Sequence, residues 1–298
     1  TGDGLPDLNV NDIAQDADSN MWFGTQNGAA MFDGTTWTVY TSADGLPNNT
    51  VTDIFLDSKG ILWFSSYTFN GGLTKYDGTS WPTYKEEHGL ISNYTRSVAE
   101  DSEGYIWVGT GHGISRLEPT AWNYLTTEDG LPNNGVYDFV VDEQGDKWFA
   151  TVGGVSQYNG SIFTNYSTAD GLPNNSCYTI EMAPNGTIWT GTHNGLAVKT
   201  ESGWDIYKTD SGMVGNTVTG LAFEGNTAWI TTLSGVSKYD GTTWTNYTSS
   251  NGLAINNSSC AFVDKDNMIW IGSYGGGVSK FDGVLWTYIS TANHLPHD

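Results

Sequence analysis

Basic side chains and cysteine are scarce in this chain, and apolar stretches are short. Only 11 Lys and Arg stand against 33 Asp and Glu in 298 residues, a formal charge of -22. Nucleic acid and anionic membrane surfaces both demand a basic footprint, so neither is an expected partner. The acids instead read as an acidic outer surface whose Asp residues mostly serve turns. No apolar run approaches the ~20 residues needed to cross a bilayer. No basic-then-apolar leader opens the chain, so any signal peptide lies outside this segment. The chain begins without Met inside a turn, which fits a piece of a longer protein with further domains. No segment of ten residues shows a helical period, and the class is therefore all-β.

What the chain has is repetition. Gly45-Leu46-Pro47 has full or partial counterparts beginning at Gly4, Gly89, Gly130, Gly171, Gly212 and Gly252. A tryptophan recurs at Trp22, Trp63, Trp107, Trp148, Trp189, Trp229 and Trp270, at spacings of 41, 44, 41, 41, 40 and 41 residues. A fixed period near 40 marks a repeat architecture. Each copy parses into four short strands, A to D. In the second copy these are Val51–Leu56, Ile61–Phe64, Gly72–Tyr76 and Ser80–Tyr84, with Asp-Gly hairpin chemistry closing C to D. Four-stranded units of this length, repeated radially, make a β-propeller, because a lone unit cannot bury both of its faces.

The expectation is a single seven-bladed β-propeller over 1–298. Its blades run roughly 1–42, 43–86, 87–127, 128–168, 169–209, 210–249 and 250–291. The strand B tryptophans, and the strand D series Trp37, Trp81, Trp122, Phe163, Trp204, Trp244 and Trp286, then fill the spaces between blades. No terminal strand is left over to complete the opposite end's blade, so closure rests on packing of the first blade against the last, unless the natural protein continues. His294-Leu295-Pro296 resembles the start of an eighth turn. Cys177 and Cys260 fall in strand A of the fifth and seventh copies, on non-neighbouring blades. A disulfide needs Cα atoms within about 7 Å, so both are expected as free, buried thiols.

The repeat resembles the two-component regulator propeller family. It does so through Gly45-Leu46-Pro47-Asn48-Asn49, Asp57, Gly60-Ile61-Leu62-Trp63-Phe64 and Gly72-Leu73-Thr74-Lys75-Tyr76-Asp77, with parallel segments in the other copies. The resemblance covers essentially the whole chain. It implies an extracytoplasmic ligand-binding or sensing module, periplasmic or secreted, since such propellers often form the sensor half of hybrid histidine kinases that recognise polysaccharide fragments. The expected content of this segment is one propeller, without the immunoglobulin-like domain, membrane span or kinase of the full sensor pattern. A structural or protein-binding module of a surface protein is the alternative that leaves room for.

Ligand sites in propellers gather where loops from several blades converge on a concave mouth. There the strand B-to-C loops differ most between copies, offering Gln26, Tyr67, His193 and Tyr274 at one position and His112 at the next. Three additional residues in the second copy add Phe69. A second ring comes from strand A: Asn11, Thr52, Arg96, Tyr137, Tyr178, Thr219 and Ser259. Arg96 is one of two arginines in the chain and offers a rigid set of donors to carboxylate or sugar oxygens. Its competing role is pairing with a nearby Asp.

The expected site lies off the axis over blades two to five and binds an oligosaccharide or other polar ligand. It comprises Gln26, Tyr67, Phe69, Arg96, His112, Tyr137, Tyr178, His193 and Tyr274. The two histidines leave an enzymatic rival open, since propeller lyases such as the streptogramin lyases work with His and Mg²⁺ in their mouths. No Ser-His-Asp, HExxH, Walker or dinucleotide motif is present, and no catalytic residue or cofactor is assigned. Asp16-Ala17-Asp18-Ser19-Asn20 resembles the opening of a calcium loop, but Met21 and Asn27 occupy the positions that require Gly and Glu. It reads as a hairpin turn, and no metal site is assigned.

Overall fold

A computed structural model describes residues 4–118 and 121–290. Twenty-eight strands form seven sheets of four, each in simple consecutive order, and each sheet is one blade. Blade one comprises Val10–Gln15, Met21–Thr25, Gly28–Phe32 and Trp37–Tyr40. The first strand of every blade lines the central channel. These inner strands are Val10–Gln15, Asp53–Leu56, Thr95–Glu100, Val136–Val141, Cys177–Met182, Val218–Glu224 and Ser258–Val263. The seven-bladed propeller is as the period requires.

The recurrent residues have separate structural tasks. The acid closing strand A accepts two backbone N–H groups of the tight turn and the indole N–H of the strand B tryptophan. Asp57 takes Lys59 N at 3.0 Å, Ile61 N at 2.8 Å and Trp63 Nε1 at 2.9 Å. Asp16, Asp101, Asp142 and Asp264 repeat the indole bond at 2.7–2.8 Å. The calcium-like stretch at Asp16 therefore spends its carboxylate on the hairpin. In the Gly-Leu-Pro turn the leucine is buried at each of Leu5, Leu46, Leu90, Leu131, Leu172 and Leu253, and Met213 replaces it once. Its glycine has φ of 131° at Gly45, and a Cβ there would lie 2.5 Å from Trp81 Cβ. The turn thus sits directly on the strand D tryptophan of the blade it leads into, in a conformation that favours glycine.

Hydrophobic clusters alternate around the ring, each shared by two neighbouring blades. One joins Val10, Ile13 and Phe23 of blade one to Cys260, Trp270 and Val278 of blade seven, which closes the ring by packing. Backbone bonds from Gly275 N and Gly277 N to Leu8 O, at 3.1 and 2.9 Å, reinforce the same seam. His294-Leu295-Pro296 lies outside the described residues.

Two strands are shorter than the pattern predicts. Strand A of blade two starts at Asp53 rather than Val51, because Val51 N bonds across to Thr25 O of blade one at 2.9 Å. Strand D of blade two is only Thr83–Tyr84, because Pro82 has no N–H to donate. Three links also contain single 3-10 turns, Glu86–His88, Thr168–Asp170 and Thr209–Ser211, which the sequence reading does not contain. Both thiols are free and buried.

Candidate functional site

The mouth of the channel holds a cavity of about 460 Å³. Its floor is the strand A ring, Asn11, Thr52, Arg96, Tyr137, Tyr178, Thr219 and Ser259, one residue from each blade. His193, Thr217, Leu233 and Tyr274 rise from the loops to form the wall. The same seven floor residues form the roof of a second space of about 380 Å³ in the channel beneath. The cavity therefore spans the whole mouth rather than blades two to five alone, since every blade delivers one residue from the start of its inner strand to the axis. Tyr67, Arg96, Tyr137, Tyr178 and His193 still collect on that side, while Tyr274 stands on blade seven.

Most floor residues are occupied in tying blades together. Asn11 Nδ2 donates to Val51 O at 2.6 Å, Thr52 Oγ1 to Thr95 O at 3.1 Å, and Thr219 Oγ1 to Ser258 O at 2.9 Å. The Ser259 hydroxyl donates to Val10 O across the ring seam. Arg96 is different. Its guanidinium carbon lies 3.6 Å from the Tyr67 ring centroid and 4.0 Å from that of Tyr137, between rings from the blades on either side. It forms no ion pair or hydrogen bond among the described residues, and its Nε is buried without a partner. The competing role, a pairing with Asp, is not what the structure shows. Stacking between two π-faces holds the cation in place and leaves its donors free.

The aromatic series continues from there. Tyr137 and Tyr178 meet edge to face at 5.3 Å, and Tyr178 Oη lies 3.4 Å from His193 Nδ1. Burial raises the phenol pKa of Tyr178 and Tyr274, so both are neutral hydrogen-bonding groups at neutral pH. Tyr67, Arg96, Tyr137, Tyr178 and His193 thus form one connected run, and Tyr274 faces the same cavity. The remaining three candidates lie apart from it. Phe69 is 77% exposed, His112 is held by Ser92 Oγ at 2.9 Å, and Gln26 Nε2 bonds Asn11 Oδ1 at 3.2 Å on the exposed rim.

Beneath the floor lie four carboxyl groups that the sequence reading does not single out: Asp12, Asp53, Asp138 and Glu181. Asp12, Asp53 and Asp138 accept the backbone N–H of Ile54, Val98 and Ile180 on the next blade, at 2.8, 2.7 and 2.9 Å. Burial raises Asp12 and Asp138 to about 6 and Glu181 to about 7. Asp53 is raised well above the ordinary carboxylate range by burial and then by the charges of Asp12 and Asp138. The signal was present in the repeats, where Asp stands four residues before the turn acid in copies one, two and four. Among the described residues, no group of three or more His, Cys, Asp or Glu is arranged to hold a metal ion.

The family described as two component regulator propeller matches at residues 4–27, 45–68 and 89–112. No curated protein matches the chain by sequence. Among solved structures, the chain is similar to the extracellular domain assigned to the hybrid two component system BT3049 from B. thetaiotaomicron. The identity is 23% and the TM-score 0.81, over 93% of this chain and 40% of that one. It is also similar to a streptogramin B lyase, with 15% identity and a TM-score of 0.75 over 93% and 94% of the two chains. PorZ, a surface component of the type-IX secretion system of Porphyromonas gingivalis, matches at 17% identity and a TM-score of 0.75, over 93% and 47%. This chain spans about two-fifths of the first of these. Identities this low establish shared architecture, and no described helix is long and apolar enough to cross a membrane.

Proposed function

From the premise that this chain is built of two component regulator propeller repeats, we propose that it is an extracytoplasmic ligand-binding module whose mouth takes an oligosaccharide bearing a carboxylate. One observation carries the reading. Among the described residues Arg96 is the only Lys or Arg lining the cavity, it is stacked between Tyr67 and Tyr137, and no acid pairs with it. Its free donors suit a carboxylate, and the faces of Tyr137 and Tyr178 suit the apolar side of a sugar ring. The extracellular placing of the BT3049 relative supports action outside the cytoplasm.

Calorimetric titration with a digalacturonate tests it. Arg96→Ala is expected to weaken binding by roughly ten- to a hundredfold, since hydrogen bonds to charged groups contribute about 1.5–3 kcal/mol. The melting temperature should be unchanged. Equal affinity of parent and Arg96→Ala for the digalacturonate, or a ligand seated only on blades six, seven and one, overturns the assignment. A lyase is the second reading, favoured by His193 Nδ1 beside Tyr178 Oη on the cavity wall. It demands turnover that disappears in His193→Ala while binding survives. A purely structural module of a surface protein would show neither binding nor turnover.

A further inference from the structure

The blades differ from one another at a second place where a ring belongs. In five blades the residue ending strand C stacks on the first aromatic of strand D. These pairs are Phe32 on Trp37, Tyr76 on Trp81, Tyr158 on Phe163, Tyr239 on Trp244 and Phe281 on Trp286, with centroids 4.1–4.8 Å apart. Blades three and five depart, with Leu117 opposite Trp122 and Lys199 opposite Trp204. Both departures coincide with a cleft on the outer flank between neighbouring blades.

The two clefts are not equivalent. In blade five the Lys199 ammonium lies 5.7 Å from the Trp204 ring centroid and 5.3 Å from that of Tyr166, and it donates to Thr200 O at 2.8 Å. A cation thus covers the indole, and the adjoining cleft measures about 490 Å³. In blade three Leu117 is too short to replace a ring, and the cleft between blades two and three reaches about 1030 Å³. Trp63, Tyr84, Leu117 and Trp122 line it, with Lys59 and Lys75 along one wall. It shares no residue with the mouth cavity.

Lys75 adds a charge requirement. It stands opposite Trp63 in the strand register, as Lys238 stands opposite Trp229 and Lys280 opposite Trp270. Those two ammonium groups sit over their indoles at 5.0 and 4.6 Å. Lys75 makes no such contact, and its ammonium has no ion pair or hydrogen bond among the described residues. Two of the cleft's acids are already engaged, Asp57 by Trp63 and its own turn, and Glu118 by Arg116. Glu103 stands on the far wall.

We propose that this cleft is a binding site for a single aromatic ring carrying an acidic group. The ring stacks on Trp122, in the place that Tyr or Phe fills in five other blades, and the acid pairs with Lys75. A volume at the top of the usual 300–1,000 Å³ range for ligand pockets admits such a molecule with its substituent. The chemistry is that of an aromatic acid rather than a sugar, because the fillers in five of the other six blades are aryl rings.

The probe is 4-hydroxyphenylacetate, which reproduces a tyrosine ring with a carboxylate, followed by saturation-transfer NMR and titration. Binding is expected to the parent and, unchanged, to Arg96→Ala, which separates this site from the mouth. Lys75→Ala should weaken it about tenfold, the loss for removing one charge-assisted bond. Leu117→Tyr supplies the missing ring from the protein's own repeat and should abolish binding while the melting temperature holds or rises. Leu117→Lys, copying blade five, gives a second way to close the cleft. Undiminished binding in a folded Leu117→Tyr or Leu117→Lys variant overturns the proposal. So does an absence of saturation transfer to the parent, or a signal from glucuronate without one from the aromatic acid.

Discussion

Trp148 and Arg96 show how differently two large side chains of one repeat act. Trp148 is buried among Val155, Leu172, Ile180 and Ala197, stacks on Tyr166 at 5.9 Å, and donates its indole N–H to Asp142 at 2.8 Å. Replacing it with Ala removes packing from two blades and leaves the Asp142 carboxylate one donor short. The expected loss is about 3–5 kcal/mol of unfolding free energy, the usual range for a buried Trp. Chemical denaturation should register it, and a loss below about 1 kcal/mol would deny Trp148 its role between blades. Arg96, Tyr137 and Tyr178 could be read in advance because they sit in a strand whose phase the repeat fixes, so their direction toward the axis follows from counting. Phe69 and His112 could not. Their loops have no common phase, and a local bond such as His112 to Ser92 decides where the side chain points.

At the scale of the blade, four strands and two tryptophan positions were legible because each is a local pattern repeated in six or all seven copies. What escaped is wherever a single copy breaks the pattern. Pro82 shortens one outer strand by lacking an N–H, and Leu117 opens one cleft by lacking the ring that five other copies supply. The strand assignment of the cysteines can be checked directly. Cys177 and Cys260 lie in the inner strands of blades five and seven, buried and unpaired, and burial pushes the Cys177 thiol up to about 12 and Cys260 higher still. Such thiols hold almost no thiolate at neutral pH and react slowly. A thiol reagent should therefore count two groups in the unfolded, unreduced protein and practically none in the folded one. An intramolecular crosslink found by mass spectrometry would place the two strands elsewhere.

For the whole molecule, the channel acids couple the ring's stability to pH, and the sign follows from linkage. Asp12, Asp53, Asp138 and Glu181 all have folded pKa values above those they regain on unfolding, which lie near 4. Between about pH 4 and 7 the folded protein therefore holds more protons than the unfolded chain, and stability falls as pH rises. Other ionisable groups face the same space. Arg96 and Tyr137 line it, and burial raises the Tyr178 phenol and the Cys260 thiol, so those two stay neutral across that window. The turn carboxylates Asp33, Asp77, Asp240 and Asp282 are shifted the other way by hydrogen bonds from their own turns, so what they contribute is lost only in stronger acid. The melting temperature should accordingly rise from pH 8 to about pH 5 and drop below about pH 4. The net charge of -22 gives a trend of the same sign through self-repulsion, so the wild-type curve alone is not decisive. Glu181→Gln isolates the channel, because removing that carboxyl should flatten the slope between pH 5 and 8 more than removing the exposed Glu201 does in Glu201→Gln. Equal flattening in the two variants would assign the slope to overall charge. A melting temperature that rose toward pH 8 would contradict the channel's burial of its acids altogether.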